Sequence, residues 1–277
     1  MGLENNVVVI TGASTGIGEE LAYQLARKGA HLMLAARRIH ELERVAAGVR
    51  ELGARVAISA CDVAIESDCK RLMESTVSEF GGIDSIVLNA GVTMWAKFAD
   101  IRDMSIIERI MRINYLGAVY CTHYALPHLI KSKGRILGVS SLTGITGVPT
   151  RTAYAASKHA MRGFFDSLRI ELSDIGVTVT MVYPGFVATG IRENATAADG
   201  KAAKVDPVDK NAAMSVEECA AIIVRALEDR RREEVMTAKG KLGQWLKLIA
   251  PAVIDAMAKK AVAGNQRYVD GSAPPAS

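Results

Sequence analysis

VVVITGASTGIGEELAYQLA, residues 7–26, decides the fold. Val7–Thr11 is a continuous run of β-branched residues, as expected of a strand covered on both faces. TGASTGIG (11–18) follows, and then a helical stretch near 16–29. Gly12, Gly16 and Gly18 in such a turn permit tight φ values, let the backbone approach a pyrophosphate, and let the helix pack close to the sheet. The start of the helix offers free N–H groups and the positive end of its dipole to phosphate. A glycine turn between a strand and a helix therefore predicts a bound nucleotide at the first crossover.

The same alternation continues along the chain. Candidate strands are Val7–Thr11, His31–Ala35, Arg55–Ala60, Ser85–Leu88, Arg135–Val139 and Val177–Val182. Helical stretches lie near 16–29, 39–52, 66–80, 103–131 and 152–174, and Gly53, Gly81, Gly134 and Gly176 stand where helices should stop. Strand–helix repetition predicts an α/β fold with a doubly wound parallel sheet flanked by helices. No domain boundary falls inside 1–185. A helix near 215–230 and a short strand near 233–237 complete a single catalytic domain over 1–240, with 192–214 as a lid or substrate loop. Residues 241–264 form amphipathic C-terminal helices broken at Pro251, and 265–277 a tail.

Bulk properties exclude several classes. The chain has 277 residues, 49% hydrophobic, with a net charge of +4, too small to argue for nucleic acid. Cys61, Cys69, Cys121 and Cys219 are scattered without metal-ligand spacing and read as buried thiols in a reducing compartment. The five histidines form no cluster, so no metal is expected. No apolar run is long enough to span a membrane, and the expected location is cytoplasmic. The C-terminal helices leave one alternative open. Leu242, Trp245 or Leu246, Ile249, Val253 and Met257 repeat at helical spacing, within a segment (Arg225–Arg267) of ten Lys/Arg and five Asp/Glu. Such a face packs on its own domain or a partner subunit, or lies on an anionic membrane surface.

The glycine spacing is G-x-x-x-G-x-G, and TGxxxGIG at this point resembles the short-chain dehydrogenase/reductase family. Further motifs carry the resemblance: NAG (89–91), YAASK (154–158), and PGFVAT (184–189), which resembles the family's P-G-x-V-x-T. It implies a Rossmann-type sheet, a homodimer or homotetramer, and an oxidoreductase acting on a small carbonyl or alcohol, loosely like hydroxysteroid dehydrogenases. It implies Asn114, Ser141, Tyr154 and Lys158 as catalytic residues, with Ser140 one step out of register beside Ser141. Gly12, Ser14, Thr15, Gly16, Ile17 and Gly18 would cradle the cofactor phosphates. Asp62 and Val63 would meet the adenine, and Asn89, Ala90 and Gly91 would line the cleft. Tyr154 and Lys158 would reach the nicotinamide ribose, and Pro184, Gly185, Val187 and Thr189 the carboxamide.

Residues at the end of the second strand choose the cofactor. An NAD-binding fold usually places an acid about 20 residues past the glycines to hold the ribose 2′-OH. Arg37 and Arg38 stand there instead, and a guanidinium grips a 2′-phosphate through charge-assisted forked bonds. The expected cofactor is NADP(H).

Tyr154 and Lys158, four apart, share one helix face. A phenol titrates near 10, and an adjacent ammonium is expected to lower it, so that Tyr154 works as acid and base near the operating pH. Ser141 would donate to the substrate oxygen, and Asn114 would anchor a water chain to Lys158. The segments 92–98, 142–149 and 186–191 should wall the pocket. They are mostly apolar with no Arg placed to clamp a carboxylate, so the expected substrate is a hydrophobic ketone, aldehyde or alcohol. The alternative is a non-catalytic NADP(H)-binding sensor or scaffold of the same fold, against which an intact Tyr154 argues.

Overall fold

A computed structural model describes residues 2–189, 195–202 and 213–263. Seven strands form one parallel sheet: β1 (Val7–Thr11), β2 (His31–Ala36), β3 (Val56–Ala60), β4 (Ser85–Leu88), β5 (Arg135–Val139), β6 (Thr178–Tyr183) and β7 (Glu233–Val235). Their order is β3-β2-β1-β4-β5-β6-β7, so the chain reverses its direction of travel across the sheet between β1 and β4. Ligands bind outside the carboxyl ends of strands at such a switch point.

Helices cover both faces: α1 (Gly16–Arg27), α2 (Ile39–Glu51), α3 (Glu66–Phe80), α4 (Ser105–Met111), α5 (Gly117–Ser132), α6 (Thr152–Glu171), α7 (Val216–Glu228), α8 (Ala238–Ile249) and α9 (Pro251–Ala263). The period-2 alternation of β1 sorts its side chains between them. Val8 and Ile10 pack with Leu21 and Leu25 of α1, Leu42 and Val45 of α2, and Ile223 of α7. Val9 faces the other layer, with Leu72 of α3, Leu129 of α5 and Phe165 of α6. Each such side chain, fully buried, contributes about 1.5–3 kcal/mol.

The six predicted strands are all present, with ends moved by one residue at β2, β3 and β6. The stretch expected as one helix over 103–131 is two, α4 and α5, joined by a π-helical turn at Arg112–Leu116. At the end of α5 the left-handed residue is Lys133, φ 49°, rather than Gly134. Gly134 serves close approach instead: a Cβ there would lie 2.5 Å from the Asp84 carbonyl oxygen.

Pro251 separates α8 from α9, as expected. The pair packs on its own domain through Ile254, and through Val262, which clusters with Trp95 and Ala195. Most of the apolar stripe found by periodicity points the other way: Leu242, Trp245, Ile249 and Val253 are exposed, while Met257, half-exposed, reaches the cavity. No helix among the described residues is long and apolar enough to cross a membrane. Most of the expected lid lies outside the described residues. Its described parts are 195–202, tied to the domain by a bridge from Thr196 to Met94 and closed on itself by one from Thr196 to Ala202, and 213–214, where Met214 bridges to Val187.

Candidate active site

A cavity of about 1050 Å³ opens at the carboxyl ends of the strands. That is at the upper end of the range for ligand pockets and leaves room for more than one ligand. Every site residue predicted from sequence lines it except Gly18 and Asn114, which support it from behind.

The turn after β1 is held by its neighbour after β4. Thr11 Oγ1 donates to the Val87 carbonyl and accepts from the N–H groups of Asn89 and Ala90, both at 3.1 Å. Asn89 Nδ2 donates back to the carbonyls of Thr11 (3.1 Å) and Gly12 (3.2 Å). Space is exhausted at this crossing. A Cβ on Gly18 would fall on the Gly12 carbonyl and 2.6 Å from Asn89 Nδ2, so only glycine lets α1 start here. Gly16 abuts Thr189, which brings the loop after β6 against the glycine turn.

Thr15, at the start of α1, makes no side-chain capping bond, so the first N–H groups of the helix face the cavity without an internal acceptor from it. Its hydroxyl instead accepts from Arg38 Nη2 at 3.4 Å, and the same nitrogen donates to Ser14 Oγ at 3.3 Å. Arg37 and Arg38 are both exposed at the cavity edge. Asp62 caps its own loop: Oδ1 accepts from Ala64 N at 3.0 Å, beside Val63.

Asn114 sits in the π-helical turn, buried, with both ends of its amide engaged. Oδ1 accepts from Val92 N at 2.8 Å, and Nδ2 donates to Val92 O and Ser157 Oγ, both at 2.9 Å. It braces the strand end behind Gly91, and only the second lone pair of Oδ1 is left for a water. π-turns of this kind are frequent at functional sites.

The two serines of the register question beside Tyr154 differ in geometry. Ser140 Oγ is turned inward and donates to the Lys158 carbonyl at 3.4 Å, over a glycine (Gly144) whose Cβ would lie 2.5 Å from it. Ser141 Oγ, at the start of a short 3-10 turn over Leu142–Gly144, accepts from Thr143 N at 3.2 Å and is the less buried of the two.

Tyr154 and Lys158 lie on one face of α6, with Nζ 5.8 Å from the ring centroid. Lys158 Nζ donates to the Val139 carbonyl at 2.9 Å and lies 3.6 Å from Met161 Sδ. Burial draws its ammonium down to about 8. Tyr154 departs from expectation. Burial pushes its phenol above the ordinary value, and the groups that pull it back are the Arg151 guanidinium and the nearby hydroxyls of Ser141 and Thr143. Desolvation of the phenolate outweighs the Arg151 charge and the two hydroxyls in the chain alone.

Sequence reasoning missed Arg151. It opens α6, is buried, and its guanidinium carbon lies 3.7 Å above the centroid of the Trp95 ring. Arg109 and Arg151, outside the three segments expected to wall the pocket, both line the cavity. The C-terminal helices were missed as walls as well: Gln244, Ile254, Met257 and Val262 close one side. Lys247 ties α8 to the loop after β5 by donating to the Ile145 carbonyl at 2.6 Å. The available signal for Arg151 was its place three residues before Tyr154, on the same helix face.

Residues 6–200 match the family model described as short chain dehydrogenase. The chain is 40% identical over 260 residues to 11-beta-hydroxysteroid dehydrogenase-like 4A of Arabidopsis thaliana, covering 93% of this chain and 85% of that protein. It is 38% identical over 265 residues to a dehydrogenase/reductase SDR family protein 7-like of Dictyostelium discoideum, covering 93% and 82%. Among solved structures, an alcohol dehydrogenase from the archaeon Thermococcus sibiricus, complexed with 5-hydroxy-NADP, superposes with a TM-score of 0.71. The two share 27% identity over 83% of this chain and 95% of that one.

Proposed function

The chain belongs to the short chain dehydrogenase family, and from that premise we propose that it is an NADP(H)-dependent oxidoreductase interconverting a hydrophobic ketone or aldehyde and its alcohol. The carrying observation is the meeting of Ser141, Tyr154 and Lys158 on one cavity wall, with Asn114 braced behind it.

The residues fit a dinucleotide bearing a 2′-phosphate. Arg38 already bridges the hydroxyls of Ser14 and Thr15, Arg37 stands exposed beside it, and these two arginines rather than an acid stand at the end of β2. Gly12 and Gly16 leave the backbone bare where a pyrophosphate would approach, Ile17 lines the same turn, and Gly18 lets α1 pack close behind it. The solved relative carries an NADP derivative. Asp62 and Val63, Asn89 to Gly91, and Pro184, Gly185, Val187 and Thr189 would hold the rest. When bound, NADPH supplies the hydride.

The chain's own groups then manage the proton. Tyr154, kept neutral by burial, donates from its phenol oxygen to the nascent alkoxide, and Ser141 Oγ donates to the same substrate oxygen. Lys158 titrates near 8, so it exchanges protons readily at the pH of the reaction. Ile113, Ile145, Val148 and Phe186 give the substrate end its apolar walls.

Turnover of a panel of ketones and aldehydes tests this, with NADPH and NADH compared side by side. Apolar carbonyls should react with NADPH, and Tyr154→Phe should lower kcat by about 10²–10⁴. If every carbonyl fails while NADPH still binds, the chain is a sensor and the reading is wrong.

A further inference from the structure

We propose that Arg151 is a positioning residue of this reaction: a permanent cation, stacked on Trp95, whose charge steadies the ionised form of Tyr154 during proton transfer. The inference rests on the reading of Tyr154 as the acid and base.

Arg151, Tyr154 and Lys158 follow one another at spacings of three and four, so all three lie on one face of α6. The Arg151 guanidinium carbon is 5.8 Å from the Tyr154 ring centroid, as is Lys158 Nζ. Two cations therefore flank one phenol. They differ in a way that matters. Burial brings Lys158 to about 8, so its charge fades as the solution becomes alkaline. A guanidinium keeps its charge throughout that range.

Arg151 stands in an uncommon place for a cation. It is 7% exposed, and arginine is seldom buried unless it is paired or stacked. It opens α6, where the helix dipole is already positive and a cation is unfavourable. The residue before it, Thr150, holds φ 67°, a left-handed conformation that a β-branched side chain rarely adopts. Outlying backbone of this kind clusters at functional sites. The surroundings hold the guanidinium in place. Nη1 donates to Thr93 Oγ1 at 3.2 Å, and Trp95 is fixed by its backbone N–H, which donates to the Thr196 carbonyl at 3.0 Å. Ala96 N donates to the Thr150 carbonyl at 3.0 Å. A phenolate beside this cation would be steadied by its charge, and the neutral phenol would not.

Among the described residues, the other charges near Tyr154 do not take this part. From α4, Ile106 and Ile110 pack on Tyr154, while Glu108 and Arg109 are exposed, with Arg109 at the cavity edge. Lys201 and Lys239 line the cavity from exposed positions. Asp62, after β3, is the one carboxylate among the described lining residues.

The test is the pH profile of kcat and kcat/KM for alcohol oxidation in Arg151→Met, which keeps the stem on Trp95, and in Arg151→Lys. In Arg151→Met the acidic limb should move about 1–2 pH units towards alkali, with activity recovering at high pH. Arg151→Lys should restore most of the parent profile, and NADPH affinity, followed by fluorescence, should not change. Should Arg151→Met not fold by circular dichroism, Arg151→Gln carries the same measurement. A loss of activity without movement of the limb, or no change at all, overturns the proposal. Tyr154→Phe separates the two readings. If it is inactive while the limb stays put in Arg151→Met, only the role of Arg151 falls. If it is fully active, the role of Tyr154 falls first.

Discussion

Replacing Lys158 by Met should make the protein more stable at neutral pH while abolishing turnover. Lys158 is 4% exposed, and its described partners, the Val139 carbonyl and Met161 Sδ, carry no negative charge. Its ammonium titrates near 8 in the folded chain against 10.5 in water. That gap is worth about 3 kcal/mol against folding at pH 7, where both folded and unfolded chains hold the proton. Between pH 8 and 10.5 the unfolded chain holds a proton that the folded chain has released, so stability rises with pH and the penalty fades. Met fills a similar volume without charge, but strands the Val139 carbonyl at about 1 kcal/mol. The net gain at pH 7 is then about 2 kcal/mol, or about 3–4 °C in Tm for a chain of 277 residues. Thermal unfolding of both proteins without nucleotide, at pH 7 and again near pH 10, measures it. The gain should vanish or change sign at the higher pH. A variant no more stable than the parent at pH 7, or one whose advantage persists undiminished into alkali, refutes the reasoning.

Three further outcomes follow from the geometry. Arg37→Asp and Arg38→Asp should each weaken NADPH binding about 10–100-fold and move preference towards NADH, read by fluorescence titration; an unchanged ratio would remove the 2′-phosphate assignment. Ser141→Ala should lower kcat by about 10²–10³, whereas Ser140→Ala, whose hydroxyl bonds the Lys158 carbonyl, should cost about 1 kcal/mol in denaturant unfolding and spare kcat. Equal kinetic losses would return the register to doubt. Gly18→Ala should destabilise the chain by about 1–3 kcal/mol and abolish nucleotide binding, because its Cβ meets the Gly12 carbonyl. Parent-like NADPH affinity in that variant would show that the turn has slack.

The inner strands were legible because they are buried on both faces and so read as short, mostly apolar runs; β3, VAISA at the sheet edge and only half-buried, was legible from its place between helices. The nucleotide cradle was legible because the crowding at Gly12 and Gly18 leaves no other residue type. Three features were not. A π-helical turn adds one residue to a helix without disturbing the apolar pattern enough to be seen, so 103–131 read as one element. Periodicity marks an apolar face on α8 and α9 but not the direction in which it points, and Leu242, Trp245 and Ile249 face outward. A lone arginine at a helix start reads as solvated, and only the fold puts Trp95 beneath Arg151.

The wide turn at Arg112–Leu116 has a consequence for what can be deleted from this chain. It holds one residue more than an α-helix would use to join α4 and α5. Excision of a single residue there would let the two run on as one uniform rod, with better local hydrogen bonding. Each α-helical residue adds about 100° of rotation, so the repaired rod would swing Ile106 and Ile110 off Tyr154 or carry the Asn114 amide away from Val92. Backbone regularity and a working pocket are alternatives at this point. Exposed side chains along the stretch can be exchanged, but the number of residues in it cannot change.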